Sequence, residues 1–321
     1  MRKSTSVIVD AESSPEVTAV VVLWNCRGFV GGCLESLKRS DVRVQVLAFD
    51  NASEDGSADV AESYGVPVLR SAANIGFPAA VNALLPACRA PVTLLLNPDV
   101  VVERGALERC LTALEEPRVG MVGANLRRPD GRPDAPAARR FRSVLTIALE
   151  SLGLAALWWR LDVQYFPTWD RRSSRDVPCI NGAFAMLRTE TLHRVGGLDE
   201  TVFLYLEDQE LCRAVAGLGL RIRFVADAVA VHVGGGPTTA SSPERRAVAY
   251  LHRLDASLEI VRRRQGTVAR LVSLGVLAAR CSALLAVAAV RGDADGRLKY
   301  RKALAWLARQ WDRRRPPGPV P

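Results

Sequence analysis

Four short stretches place acids, amides or an imidazole where the chain leaves an apolar run, and each could do a different piece of chemistry. Asp50-Asn51 closes Val42–Phe49 and opens a small-residue loop, Ala52-Ser53-Glu54-Asp55-Gly56-Ser57. A carboxylate there can accept from a uracil or thymine ring N–H or from ribose hydroxyls. Asp50 is equally suited to a turn, and Asp55 to a helix N-cap. Asn97-Pro98-Asp99 ends the apolar strand-like run Val92–Leu96. A carboxylate pushed out of a buried strand can hold a hard divalent cation across two phosphates, because Mg2+ takes few protein carboxylates and completes its shell with phosphate oxygens. A strand-ending turn is the plainer use.

Glu207-Asp208, with Glu210, opens a helix after Phe203-Leu204-Tyr205. Acids in a first helical turn can serve only the helix dipole. As chemistry, adjacent helical residues diverge by about 100°, so one of the pair faces a reacting hydroxyl and the other orients the site. His232 sits in Val231-His232-Val233-Gly234-Gly235-Gly236, a strand running into a glycine loop. It is either a structural histidine or a neutral imidazole ligand beside a loop that lets backbone approach a phosphate. His193 and His252 have no comparable context.

Other chemistries are removed by what is missing. No GxGxxG follows the first strand, and there is no GxxxxGK[ST] and no GxSxG. The seven cysteines form no CxxC pair, so neither a zinc site nor a disulfide framework is expected. The 321 residues are 49% hydrophobic and 24% charged, a soluble globular balance, and 6% aromatics are too few for base-stacking platforms. The net charge of +9 is uneven. Residues 241–321 hold 17 basic and 6 acidic side chains, leaving 26 against 28 for the first 240. A basic, Leu/Ala/Val-rich tail suits an acidic membrane surface better than nucleic acid, and no nucleic-acid partner is expected.

The elements that must hold these residues alternate strand and helix from Val17 to Asp99, the pattern of βαβ units and a mostly parallel sheet. Strands are predicted at Val17–Trp24, Val42–Phe49, Val66–Leu69 and Val92–Leu96, with helices at Phe29–Lys38, Ala58–Tyr64 and Phe77–Cys88. Ligands of open α/β sheets sit beyond the carboxyl ends of the strands. A helix at Gly105–Leu114, a strand at Val119–Ala124 and a turn at 127–132 follow. Residues 133–178, with six aromatics, form an acceptor-facing insertion or lid, or an ordinary packing excursion. A compact block resumes at Cys179–Leu187, with a helix at Glu207–Ala216 and strand-like runs at Leu220–Val225 and Ala228–Val233. Residues 1–16 are expected to be a flexible N-terminus, 17–236 the main domain and 237–321 a basic helical region. Val268–Val290 is long enough to span a bilayer, but Arg270 and Arg280 interrupt it, and an uncompensated mid-membrane Arg costs about 2.5 kcal/mol or more. It is expected to lie on a membrane or to pack on the protein. No apolar h-region follows Met1-Arg2-Lys3 before Pro15, so the expected compartment is the cytoplasm.

Taken as an ordered set, these stretches resemble the family 2 glycosyltransferases of the GT-A fold, in particular the rhamnosyltransferase-like branch. The matching segments are Val20–Asn25, Phe49–Ser57, Asn74–Asn82, Leu94–Asp99, Asn181-Gly182-Ala183, Gly196–Glu200, Phe203–Asp208 and Val231–Gly236. The resemblance implies a Rossmann-like mixed α/β sheet flanked by helices, carrying the basic helical extension at its C-terminus. It implies a nucleotide-sugar site formed by Asn25, Asp50, Asn51, Asn74, Gly76, Phe77, Asn82, Asn97, Asp99, Gly182 and Ala183. Asp99 stands at the metal-binding position of the family's DxD motif, where Asn97 replaces the first carboxylate, and His232 is a further ligand of Mg2+ or Mn2+. Asp208 is the implied catalytic base, with Glu207 beside it.

The implied reaction is inverting transfer of a sugar, rhamnose among the candidates, from a dTDP- or UDP-linked donor. The acceptor hydroxyl belongs to a glycan, a lipid-linked acceptor or a small molecule. Residues 245–315 are expected to make peripheral contact with the inner face of the membrane. The rival readings are a noncatalytic scaffold that binds membranes or partners and a glycoside hydrolase with paired carboxylates.

Overall fold

The computed structural model describes residues 14–134, 137–152, 169–233 and 242–311. The first half is built as the apolar runs dictate. β1 (Val17–Leu23) is buried along its whole length, as a strand covered on both faces must be. α1 (Arg27–Lys38) buries Val30, Cys33, Leu34 and Leu37, the i, i+3, i+4, i+7 face of an amphipathic helix. β2 (Val44–Asp50), α2 (Ser57–Ser63), β3 (Val68–Arg70), α3 (Phe77–Leu84) and β4 (Val92–Leu96) complete the βαβ series. α3 stops short of the predicted Cys88 because Pro86 lacks the N–H that a continuing helix needs, and Leu85–Ala87 tightens into a 3-10 turn.

β5 (Val100–Val102), directly after Asp99, was not expected from the sequence. α4 (Ala106–Glu115) and β6 (Val119–Arg127) follow, then the short β7 (Ala138–Arg139), α5 (Val144–Ser151), β8 (Arg175–Asp176) and β9 (Cys179–Ile180). β10 (Phe184–Arg188), α6 (Thr189–Arg194), α7 (Glu207–Gly217) and β11 (Arg221–His232) finish this part. The two runs predicted at 220–225 and 228–233 are one strand. Its register against β6 slips between Val225 and Val229, and Asn125 Nδ2 donates to the Ala226 carbonyl at 3.0 Å, satisfying backbone that the slip releases.

The sheet runs β3-β2-β1-β4-β10-β6-β11-β5, with β8 added on β11, and β7 pairs β9 separately. β3, β2, β1 and β4 are mutually parallel, as the βαβ pattern requires, whereas β10 enters antiparallel to both β4 and β6. The result is a mixed sheet. Leu94, Leu95 and Leu96 of β4 are all buried, each worth roughly 1.5–3 kcal/mol relative to exposure.

The chain divides into two compact units. Among the described residues, the sheet unit holds 14–134, 137–140, 169–203 and 207–233, and the helical unit holds 141–152, 204–206 and 242–311. The 133–178 segment is therefore distributed between them. Trp158, Trp159, Tyr165 and Phe166 lie outside the described residues, as do Gly234–Gly236 and nearly all of 1–16. In the helical unit, α8 (Pro243–Val290) and α9 (Ala294–Gln310) pack with α5 around Ile147, Leu254, Leu258, Leu274, Leu277 and Trp306. α8 breaks at Gly266, which has φ 86° and ψ 178°. Six of the seven free cysteines are buried and Cys88 is half-buried, as expected of small packing thiols.

Candidate active site

Register brings the polar strand ends to one edge of the sheet unit. Leu23 pairs Asp50 and Val21 pairs Leu96, so Asn25, Asp50-Asn51 and Asn97–Asp99 leave the sheet on the same side. β10 runs the other way, with Phe184 opposite Leu96, so Gly182 and Ala183 enter at that edge, and Asn97 N donates to Ala183 O at 3.0 Å. β11 pairs β5 with His232 opposite Val100, and Val233 N donates to Asp99 O at 2.9 Å.

At the β1–β2 end, amides build a rigid loop floor. Asn25, at φ 47°, accepts from Glu54 N through Oδ1 at 2.9 Å, and its own N–H donates to Ser53 Oγ at 3.1 Å. Asn51 donates through Nδ2 to Asn74 Oδ1 and accepts from Ile75 N, both at 2.8 Å. Asn74 Oδ1 also accepts from Gly76 N at 3.0 Å. Gly76, at φ 88°, is obligatory, because a Cβ there would meet Phe203 O at 2.8 Å, where Phe77 N also donates. Buried Asp50 accepts from Ser53 N at 3.3 Å, and its Oδ2 has no donor among the described residues. Asn82 stands apart: its amide is taken up by Leu198 N, Leu198 O and Glu200 Oε1, all at 2.8 Å.

Asp99 and His232 meet across β5 and β11, with Nε2 3.5 Å from Asp99 Oδ2. The other ring nitrogen, Nδ1, lies 2.9 Å from Asp134 Oδ2. Burial by itself lowers the imidazole pKa, but hydrogen bonds to Asp134 and Asp99 and both carboxylate charges outweigh it, pushing His232 up to about 9. The donor set fits a divalent cation: one hard carboxylate, one imidazole nitrogen, and a carboxylate on the far ring nitrogen to fix its orientation. No cluster of three or more His, Cys, Asp or Glu ligands occurs among the described residues, and Mg2+ commonly takes only one or two protein carboxylates, completing its shell with phosphate oxygens and water.

At the β10–α7 end, Asp208 Oδ2 accepts from Gly182 N at 3.1 Å, and a Cβ on Gly182 would crowd Asp208 Cβ at 3.1 Å. Arg139 donates to both Asp208 oxygens at 2.5 Å. The pairing of Arg139 with Cys179 in β7–β9 aims it there. Neighbouring Glu207 is only partly covered as a residue, yet its Oε2 is sealed from solvent without a hydrogen-bond partner. Burial, and secondarily the Asp208 charge, push its carboxyl up to about 8. The two acids therefore differ in environment, as their divergence around the helix anticipates.

Sequence reasoning missed Asp134 and Arg139. Each lies in the segment read as an insertion and reaches a site residue 98 or 69 positions away. Neither belongs to a local motif, and only the β7–β9 pairing and the Arg127–Pro133 bridge bring them in.

The sheet, with its acid-lined carboxyl edge, is that of the GT-A glycosyltransferases, as the resemblance implied. The chain aligns with the mannosyltransferase PcManGT of Pyrobaculum calidifontis, solved with GDP-Man and Mn2+, at TM-score 0.53 and 18% identity over 96% of this chain and 86% of that one. A family model described as Glycosyltransferase like family 2 matches residues 15–253, and the chain belongs to that family. It is 29% identical over 205 residues to an N-acetylglucosaminyl-diphospho-decaprenol L-rhamnosyltransferase of Mycobacterium tuberculosis, covering 59% of this chain and 66%, just under two thirds, of the relative. It is 26% identical over 139 residues to Rhamnosyltransferase WbbL of Escherichia coli K12, covering 43% of this chain and 51% of the relative.

Proposed function

We propose that this protein transfers a rhamnosyl group from a dTDP- or UDP-linked donor to a hydroxyl of a lipid-linked glycan at the inner face of a membrane, with inversion at the anomeric carbon. The observation that carries the reading is the convergence on one sheet edge of Asp50, the Asp99–His232 pair and Asp208. Rhamnose and the lipid-linked acceptor rest on the relatives' names.

In this reading Asp50 takes the base or ribose, and the Asn25 and Asn51–Asn74–Gly76 framework keeps the floor of the pocket from moving. Asn97, Gly182 and Ala183 line the passage from the nucleotide to the reacting carbon. Asp99 and His232 hold Mg2+ or Mn2+, which when bound neutralises negative charge on the departing diphosphate. Asp208 accepts the proton of the attacking hydroxyl as that oxygen bonds to the anomeric carbon from the face opposite the leaving group. To do so it must give up part of its hold on Arg139. Glu207, kept protonated by burial, adds no second charge beside the base. A hydrolase needs neither a nucleotide pocket nor a cation pair, and nothing in this site favours it.

The test incubates the protein with dTDP- and UDP-linked rhamnose, Mg2+ or Mn2+, and a polyprenyl-diphosphate-linked N-acetylglucosamine. The expected result is nucleoside diphosphate release that depends on acceptor and metal, with a product of inverted anomeric configuration. Retention of configuration removes the single-base mechanism. Tight nucleotide binding without turnover on any acceptor leaves the noncatalytic scaffold.

A further inference from the structure

Among the helices, α8 is built the wrong way round for a surface helix in water beyond Gly266. At 100° per residue, Val268, Val272, Ala279, Ala283, Ala286 and Val290 fall within about 60° of its circumference. All are exposed, Val268 by 75% and Val290 by 88%. The buried Leu274, Leu277, Cys281 and Ala288 lie on the opposite side. An ordinary surface helix puts charge on its outward face, and here that face carries none. Arg270 points to the covered side, where it donates to Gln310 at 3.3 Å, and Arg280 falls at the border. The helix is long and apolar enough to cross a membrane by length and composition, yet only 28% of its apolar window is buried.

Charge complementarity names what covers this face. Residues 262–311 hold eleven Lys and Arg against two acids, Asp293 and Asp295. Arg297, Arg301 and Lys302 share one groove on α9. We propose that the outward face of α8 from Val268 to Val290 lies in the surface of an anionic lipid bilayer, parallel to the membrane plane. The helix does not span, because its other face packs against α9, whose Arg297, Lys299, Arg301, Lys302 and Arg309 cannot follow it into hydrocarbon. Such a helix sinks to the boundary of headgroup and acyl chain, its apolar stripe gaining burial while basic residues take lipid phosphates.

The inference rests on the lipid-linked acceptor reading for its purpose, and its test uses no turnover. The full chain is sedimented with phosphatidylcholine vesicles, with and without about one third phosphatidylglycerol. Binding should be strong to the anionic vesicles and weak to the neutral ones. The double variant V272D/V287D, changed only at exposed positions, should partition at least ~10-fold less. R297Q/R301Q should lose several-fold on anionic vesicles only. Both variants should keep the parent's melting temperature and nucleotide affinity. Parent-like sedimentation of V272D/V287D, or no vesicle binding by the parent, overturns the proposal. So does a parent dimer that V272D/V287D dissociates, since a second copy then covers the face. Vesicle binding without sugar transfer sinks the acceptor reading and leaves this one standing.

Discussion

One nitrogen of Arg139 donates to both carboxylate oxygens of Asp208 at 2.5 Å, in a pair whose side chains are 13% and 8% exposed. A buried carboxylate left without its cation is strongly disfavoured, and the pair holds Asp208 in one position. R139A should destabilise the fold by about 3–5 kcal/mol and lower kcat. R139K, which keeps the charge but not the planar guanidinium or its reach, should recover stability first and kcat only in part. Chemical denaturation and steady-state kinetics check this, and an R139A protein as stable and active as the parent would remove the pair from both roles.

If Asp208 is the base, as proposed, its replacement separates binding from chemistry. D208N should lower kcat by roughly 10²–10⁴-fold, the usual worth of a general base, while nucleotide affinity measured by calorimetry stays near that of the parent. Full activity in D208N would falsify the assignment.

Asp134 orients His232 from the side remote from Asp99. D134A should weaken Mn2+ binding by about 10–100-fold, the range for removing the carboxylate behind a metal-bound histidine. D134N, still able to accept from Nδ1, should fall in between. Calorimetry or spin resonance with Mn2+ and UDP or dTDP reads this without turnover. In the proposed cation site Mn2+ would have to displace a proton from an imidazole held up at about 9, so affinity should rise with pH up to that value. A flat profile would separate His232 from the metal.

Glu207 makes stability depend on pH in the direction opposite to an ordinary paired acid. Its folded pKa of about 8 lies above the reference 4.5, so the native state binds the extra proton between those values. Its contribution is whole below pH 4.5 and is lost as pH rises through about 8. E207Q, which cannot ionise, should melt higher than the parent at pH 8.5 and gain little at pH 5. Equal melting differences at both pH values would show that Glu207 is not held neutral.

G76A forces a side chain into a backbone at φ 88° and against Phe203 O. A loss of about 1–3 kcal/mol in stability is expected from the strained backbone, with weaker nucleotide binding because the Asn51–Asn74 loop hangs on the same residue. Thermal melts and nucleotide titration of G76A test both, and unchanged nucleotide affinity would detach this loop from the donor pocket.

Strand ends were legible wherever a contiguous apolar run met polar residues. Asp50-Asn51 and Asn97–Asp99 stand out because the buried stretches just before them, Val46–Phe49 and Leu94–Leu96, carry no polar side chain. The four parallel strands followed from alternation with helices for the same local reason. β5 was not legible: three valines after Asp99 are too few to declare a strand until β11 supplies their partner. The antiparallel entry of β10, which delivers Gly182 and Ala183, also depends on long-range pairing.

The amino-acid order by itself determined which side chains could do chemistry, because a carboxylate or imidazole at the end of an apolar run is exposed to ligand by the burial of the run behind it. Tertiary structure alone decided what those side chains touch. Asp134 behind His232, Arg139 on Asp208, and the apolar side of α8 left uncovered are consequences of strand register and helix packing between residues far apart in the chain. Helical and strand periodicity fixes which residues share a face, but only the packed neighbours determine which face meets water.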